Sequence, residues 1–272
     1  MSPREEVALG QAVNLALAAE LEADPKVLVM GEDVGRLGGV FRVTDHLAER
    51  FGADRVRDTP LGEAGIVGTA VGLALRGYRP VCEIQFDGFV FPAFSQIATQ
   101  LAKLRSRSGG RAQLAVTIRI PYGGGIGAIE HHSESPEALF AHIAGLRVVT
   151  PATPQDAYDL TRAAIRCPDP VIVLEPKARY WSKGSVTAHD DPRPTVLQTA
   201  RTARAGKDVT IAAYGPALAP VETAVAELAV EGVDAEVLDL RSISPIDFDA
   251  IEASVGRTGR LVVVHEAPVF FG

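Results

Sequence analysis

The chain has only two cysteines, Cys82 and Cys167, in 272 residues. They stand in separate apolar or helical stretches and form no Cys-x-x-Cys pair, which excludes a disulfide framework and fits a reducing cytoplasm. Positive charge is also short: 27 Lys and Arg face 34 Asp and Glu, a formal net charge of -7. Without a basic run, nucleic acid is not an expected partner. No apolar run reaches the ~20 residues a membrane span requires, so a soluble chain with no membrane partner is expected. The opening, Met1-Ser2-Pro3-Arg4-Glu5-Glu6, leads into an amphipathic helix and not into the apolar core of a signal sequence. Internal repeats and low-complexity tracts are absent as well.

What is present is ordinary for a globular protein, with 47% hydrophobic and 22% charged residues. The length suits two α/β domains. Helical periodicity over 5–22 closes at Asp24-Pro25, and a short apolar strand over 27–30 leads into a glycine-punctuated loop. The alternation continues with helices expected over 45–51, 63–76, 92–104, 136–141 and 153–166. Strands fall near Val56 and over 80–84, 114–120, 147–150 and 171–174. Apolar strands separated by helices predict a mainly parallel sheet covered on both faces. Five small residues, Gly65, Gly68, Ala70, Gly72 and Ala74, sit in the 63–76 helix. Each helical glycine costs ~1 kcal/mol, so they point to close backbone packing there.

The pattern lapses over 175–207, where Gly184, Pro192 and Pro194 favour a connection. It resumes with strands over 209–214, 235–240 and 261–265 and helices over 218–231 and 248–255. The expected division is a first domain over 1–190, a linker over 191–207 and a second domain over 208–272. Three strands make a small second sheet, so that domain is expected to continue past Gly272.

Active sites of α/β folds gather beyond the carboxyl ends of strands. That rule selects 31–35, 58–63, 85–91 and 122–135. Gly123-Gly124-Gly125-Ile126-Gly127-Ala128 loosely resembles a dinucleotide fingerprint, but the next strand ends in Val149-Thr150-Pro151 with no acid to meet a ribose. A P-loop is absent. His131 and His132 are adjacent and point apart in an extended segment, and no His-x-x-x-His spacing occurs, so no metal site is expected. A single histidine donating a proton is the simpler reading. Glu63 opens a helix, where a carboxylate also serves to offset the helix dipole. Its residue type alone does not separate the two roles.

A resemblance separates them. Gly31-Glu32-Asp33-Val34, Gly38-Gly39-Val40-Phe41-Arg42-Val43-Thr44, Asp58-Thr59-Pro60-Leu61-x-Glu63, Gly77-Tyr78-Arg79-Pro80-Val81 and His131-His132-Ser133-x-Ser135-Pro136-Glu137 occur in this order. Together, over nearly the whole chain, they resemble the β subunit of the decarboxylating, thiamine-dependent component of 2-oxo acid dehydrogenase complexes. Gln85-Phe86, Pro92-Ala93-Phe94, Ser135-Pro136-Glu137-Ala138 and Phe140-Ala141-His142 are most similar to the branched-chain type, with the pyruvate type a near neighbour.

The resemblance implies a pyrimidine-type thiamine-diphosphate-binding domain followed by a transketolase-type C-terminal domain. It also implies an α2β2 heterotetramer with the magnesium-diphosphate anchor on the α subunit, matching the absence here of that anchor's Gly-Asp-Gly motif. Glu63 is implied to hydrogen-bond the pyrimidine N1′ and favour the imino form that activates the cofactor. Phe89 is implied to pack on the aminopyrimidine ring, and His132 to donate a proton as the acyl group passes to the lipoyl group of an acyltransferase partner. Glu32 and Glu83 are implied to line a path between paired cofactors. The family pattern further admits a structural potassium ion on main-chain oxygens near Thr117 and 164–169. Departures are Glu134, where the family often has Gln, and Ser95, where it commonly has Asp. Pyruvate or acetoin dehydrogenase, or a non-catalytic assembly subunit, are the competing readings.

Overall fold

A computed structural model describes residues 4–189 and 194–270. The chain opens with β1 (Arg4–Ala8) and α1 (Leu9–Ala23), then β2 (Val27–Gly31), α2 (Leu47–Phe51), β3 (Val56–Asp58), α3 (Glu63–Leu75) and β4 (Arg79–Glu83). Next come α4 (Leu104–Arg107), β5 (Thr117–Tyr122), α5 (Glu137–Ala141), β6 (Arg147–Val149), α6 (Pro154–Arg166), β7 (Val171–Pro176) and β8 (Lys183–Thr187). The remainder is β9 (Arg201–Arg204), β10 (Val209–Ala213), α7 (Leu218–Val230), β11 (Ala235–Asp239), β12 (Ser242–Ser244), α8 (Phe248–Thr258) and β13 (Leu261–Val264).

The main sheet runs β12-β6-β7-β5-β4-β2-β3. It is parallel apart from the antiparallel edge strand β12. Residues of β5 and β7 are buried throughout, as central strands with helices on both faces must be. The side-chain period of two divides each strand between two cores. Met30, Cys82, Ile118, Ile120, Ile172 and Leu174 join α3 and Phe140 on one face, while Val29 and Val81 join α1 and α6 on the other. Thr153 caps α6 by accepting the Asp156 N–H at 3.2 Å, with Pro154 in the first turn, as its sequence predicts. The second sheet runs β13-β10-β11-β9, with β9 antiparallel. The α/β architecture with two mainly parallel sheets expected from the sequence is therefore the one observed.

Several local expectations are corrected. The helix expected over 5–22 begins only at Leu9, because Arg4–Ala8 pairs antiparallel with β8. That partner lies in the stretch where periodicity lapses, so no local signal announces it. Ala8 is extended and its N–H is accepted by the Gln11 side chain at 2.9 Å, marking the true helix start. The helix expected over 92–104 is instead a tight turn at Asp87–Ala93, a wide turn at Gln96–Leu101 and the short α4. Pro92 donates no N–H, and Ala102 N–H reaches back five residues to Ile97 O at 3.0 Å. In α3, Gly65 and Gly72 face open space, so the close packing expected of them is not made within the described chain. Residues 191–193 of the expected linker, and Gly272 at the expected point of continuation, lie outside the described residues. Residues 201–204 of the same stretch form β9, an edge strand of the second sheet.

Candidate active site

The loops after β2, β3, β4 and β5 share one end of the main sheet because those strands are neighbours and parallel. Glu63 stands in the first turn of α3 and is only 8% exposed. Its carboxylate has no hydrogen-bond partner among the described residues. Glu32, also buried, follows β2 and accepts the Gly62 N–H on Oε1 at 3.1 Å. Burial pushes the Glu32 carboxyl above its ordinary range; the Gly62 bond opposes this, and the nearby charges of Glu63 and Asp33 add to it. One buried carboxylate thus secures the start of α3 while its neighbour remains available.

Glu83, at the end of the strand paired with β2, is held differently from Glu32. It is held by Arg119 at 2.6 Å, and Arg119 in turn grips Glu175 through two bonds of 2.6 and 2.8 Å. Tyr180 donates to the same Glu175 at 2.6 Å. Burial raises Glu83, and the Arg119 charge opposes it. The cluster underlies the site, and Glu83 Oε1 would lie 3.0 Å from any Cβ placed on Gly39.

Phe89 and His132 are brought together. α3 packs along the 87–93 turn, which packs on the 130–132 turn. The His132 ring stacks on Phe86 at 3.9 Å with 14° between planes, and Phe89 meets it edge-on at 5.1 Å. Phe86 and Phe89 contact each other at 5.7 Å, and Phe41 extends the row at 5.5 Å from Phe86. Such aromatic pairs contribute ~1 kcal/mol each beyond area burial and fix ring orientation. His131 is more exposed and lies beside Glu130 at 3.4 Å. A Cβ on Gly88 would sit 2.3 Å from the His131 carbonyl oxygen, so the two turns approach this closely only because position 88 has no side chain.

Behind Phe86 lies a fully buried ion pair, Lys177 Nζ to Asp87 Oδ1 at 2.5 Å, with Nζ 5.8 Å from the centre of the Phe86 ring. Burial raises Asp87 and lowers Lys177, each opposed by the other's charge. Sequence reasoning did not assign Phe86, Asp87, Lys177 or Glu266 to the site. Phe86 and Asp87 fall in a strand-end loop that it selected. Lys177 follows β7 and Glu266 closely follows β13, so applying the strand-end rule to those strands would have found both. Among the described residues no group of three or more His, Cys, Asp or Glu side chains is arranged to hold a metal. No helix among them is long and apolar enough to cross a membrane.

The site therefore offers an unpartnered buried carboxyl and an imidazole in an aromatic wall, groups suited to holding and moving protons beside a planar apolar ligand. The chain matches the transketolase pyrimidine-binding domain over residues 5–182 and the transketolase C-terminal domain over 198–272. It is 58% identical over 259 residues to the pyruvate dehydrogenase E1 component subunit beta of Leifsonia xyli, covering 95% of this chain and 76% of that protein. It is 54% identical to the 3-methyl-2-oxobutanoate dehydrogenase subunit beta of Mycobacterium tuberculosis, covering 96% and 75%. A solved structure described as a split-gene transketolase, an inactive beta4 tetramer, superimposes with a TM-score of 0.79 at 26% identity, covering 98% of this chain and 81% of that one.

Proposed function

This chain belongs to the E1 β subunits of 2-oxo acid dehydrogenases, and from that premise we propose that it forms half of a thiamine-diphosphate site completed by an α subunit. The observation that carries this reading is Glu63: a buried carboxyl without an internal partner, at the mouth of the site. The side chain is largely covered while its carboxyl oxygens make no hydrogen bond to the described chain, so they are free to bond a ligand.

The residues fit the cofactor's aminopyrimidine. Glu63 would hold a proton at the ring nitrogen N1′, and Phe89 would pack on the ring. Thiamine diphosphate, when bound, supplies the carbon nucleophile and electron sink for loss of carbon dioxide from a 2-oxo acid. His132, fixed by Phe86 and Phe89, would donate a proton as the acyl group leaves for a lipoyl group on an acyltransferase component. The diphosphate and its magnesium ion are assigned to the α subunit in an α2β2 assembly. The division into domains over 1–190 and 208–272 is part of the same reading, with Arg201–Arg204 of the expected 191–207 linker paired into the second sheet. So is a cytoplasmic setting, which the two buried free thiols support.

Branched-chain 2-oxo acids such as 3-methyl-2-oxobutanoate are the proposed substrates, on the motifs Gln85-Phe86, Pro92-Ala93-Phe94 and Phe140-Ala141-His142. Pyruvate is the second reading, favoured by the 58% identity to a pyruvate-type subunit. The test is decarboxylation by the α/β assembly with an artificial electron acceptor. A higher kcat/KM for 3-methyl-2-oxobutanoate supports the first substrate and a higher value for pyruvate the second. Inactivity with every 2-oxo acid despite bound cofactor would leave only an assembly role.

A further inference from the structure

The loop that carries His132 is anchored by a carboxylate of the second sheet. Glu266 lies two residues beyond the end of β13. Its Oε1 accepts the Gly124 N–H at 2.6 Å and the Ser135 hydroxyl at 3.1 Å, partners 142 and 131 residues away in sequence. Those two groups lie at opposite ends of the loop, whose base is also closed by Gly123 N–H to Glu134 O at 2.9 Å. The approach requires a bare backbone. Gly123 has φ +82°, and a Cβ there would stand 3.2 Å from the same Glu266 oxygen. Bonds to an ionised acceptor are shorter and about twice as strong as neutral ones. Lys177, buried against Asp87, lies within Coulombic reach and attracts the same carboxylate.

We propose that Glu266 is a positioning residue for His132: the second sheet fixes the loop backbone through Glu266, while Phe86 of the first domain fixes the imidazole ring. His132 is three residues from Ser135, so freeing that end releases the backbone from which the ring is held. The second domain thereby takes part in the reaction without contributing a group to the reacting atoms. This rests on the role given to His132 above.

The test uses the α/β assembly with thiamine diphosphate, carrying Glu266→Ala, Glu266→Gln or Ser135→Ala. Decarboxylation to an artificial acceptor, acylation of a lipoyl domain and hydrogen exchange over 123–135 are measured on each. Glu266→Ala is expected to slow lipoyl acylation about 10- to 100-fold, the scale of loss from displacing a reacting group by about 1 Å. Decarboxylation falls by less. Glu266→Gln, which keeps an acceptor oxygen, recovers most of the loss; Ser135→Ala falls between, and carries the test if the alanine variant does not assemble. Exchange over 123–135 quickens in Glu266→Ala and not in Glu266→Gln. Unchanged exchange and acylation in Glu266→Ala, beside a His132→Ala control that loses acylation, overturns the proposal and leaves the His132 reading standing. Faster exchange in Glu266→Ala beside a His132→Ala control with full acylation keeps the anchor and removes the catalytic role of His132.

Discussion

Glu32 and Glu63 are neighbouring buried carboxylates with different work, and the difference lies in one hydrogen bond. Glu32 spends an oxygen on the Gly62 N–H, whereas Glu63 has no such bond among the described residues. Glu63→Gln keeps the shape and removes the ionisable proton. It is expected to lower decarboxylation at least about 100-fold, the contribution typical of a placed acid or base, with thermal stability unchanged or raised. A folded Glu63→Gln assembly of full activity would refute its role. On the role in acyl transfer proposed for its imidazole, His132→Ala is expected to impair lipoyl acylation more than decarboxylation. Equal loss in the two half-reactions, measured separately, would contradict that division. At this scale the sequence was informative about Glu63, His132 and Phe89 only through ordered motifs. Residue type alone leaves Glu63 as a helix-terminal acid and His132 as one of two adjacent histidines. That Phe86 stacks on one of them and not the other depends on a turn geometry with no periodic trace.

Two elements bring the aromatic wall together, the 87–93 turn and the 123–135 loop, and their closest approach is at Gly88. A Cβ placed there would lie 2.3 Å from the His131 carbonyl oxygen, far inside contact distance. Gly88→Ala must therefore push the His131 carbonyl away and draw the His132 ring off Phe86. A destabilisation of about 1–3 kcal/mol is expected from such overpacking, together with a loss of lipoyl acylation exceeding that of decarboxylation. Urea unfolding and the two half-reaction assays check this; a variant indistinguishable from wild type in both would show that the turns are not in contact. The alternation of apolar strands and helices was enough to place all four loops at strand ends, since parallel order follows from that pattern. It could not reveal β1 or β12. Each is a short edge strand whose partner lies far away in sequence, at β8 and at β6. Nor could it foresee that Pro92 would turn a helical stretch into a tight turn carrying Phe89.

At the scale of the molecule, the two sheets are joined by buried polar groups as well as apolar ones. Asp156 of α6 binds Arg241 at 3.0 Å and Arg201 at 3.1 Å, and Arg201 also binds Asp239 of β11 at 2.8 Å. Glu137, opening α5, accepts from Tyr214 at 3.4 Å, and Tyr214 stacks on His265. Burial, with a smaller push from Glu266, raises the Glu137 carboxyl to about 7. Burial chiefly, with the Asp156 charge, raises Asp239 to about 7 as well. For an acid whose pKa rises on folding, the native state binds the extra proton. Its stabilising effect is complete below the unfolded value near 4.5 and is lost as pH rises toward 7. Glu137→Gln removes that dependence. Its stability relative to wild type is expected to increase by on the order of 3 kcal/mol between pH 4 and pH 8, read from unfolding at a series of pH values. A constant difference would mean that Glu137 titrates in the fold as it does in the unfolded chain.

The central claim is that Glu63 meets a thiamine ring whose phosphates are held by a different chain. The most direct measurement is the structure of the α/β assembly with thiamine diphosphate bound. A Glu63 carboxyl oxygen about 2.6–3.0 Å from the pyrimidine N1′, within ordinary hydrogen-bond range, is the predicted result. A cofactor bound with that nitrogen facing another group, and Glu63 turned away from it, would contradict the account.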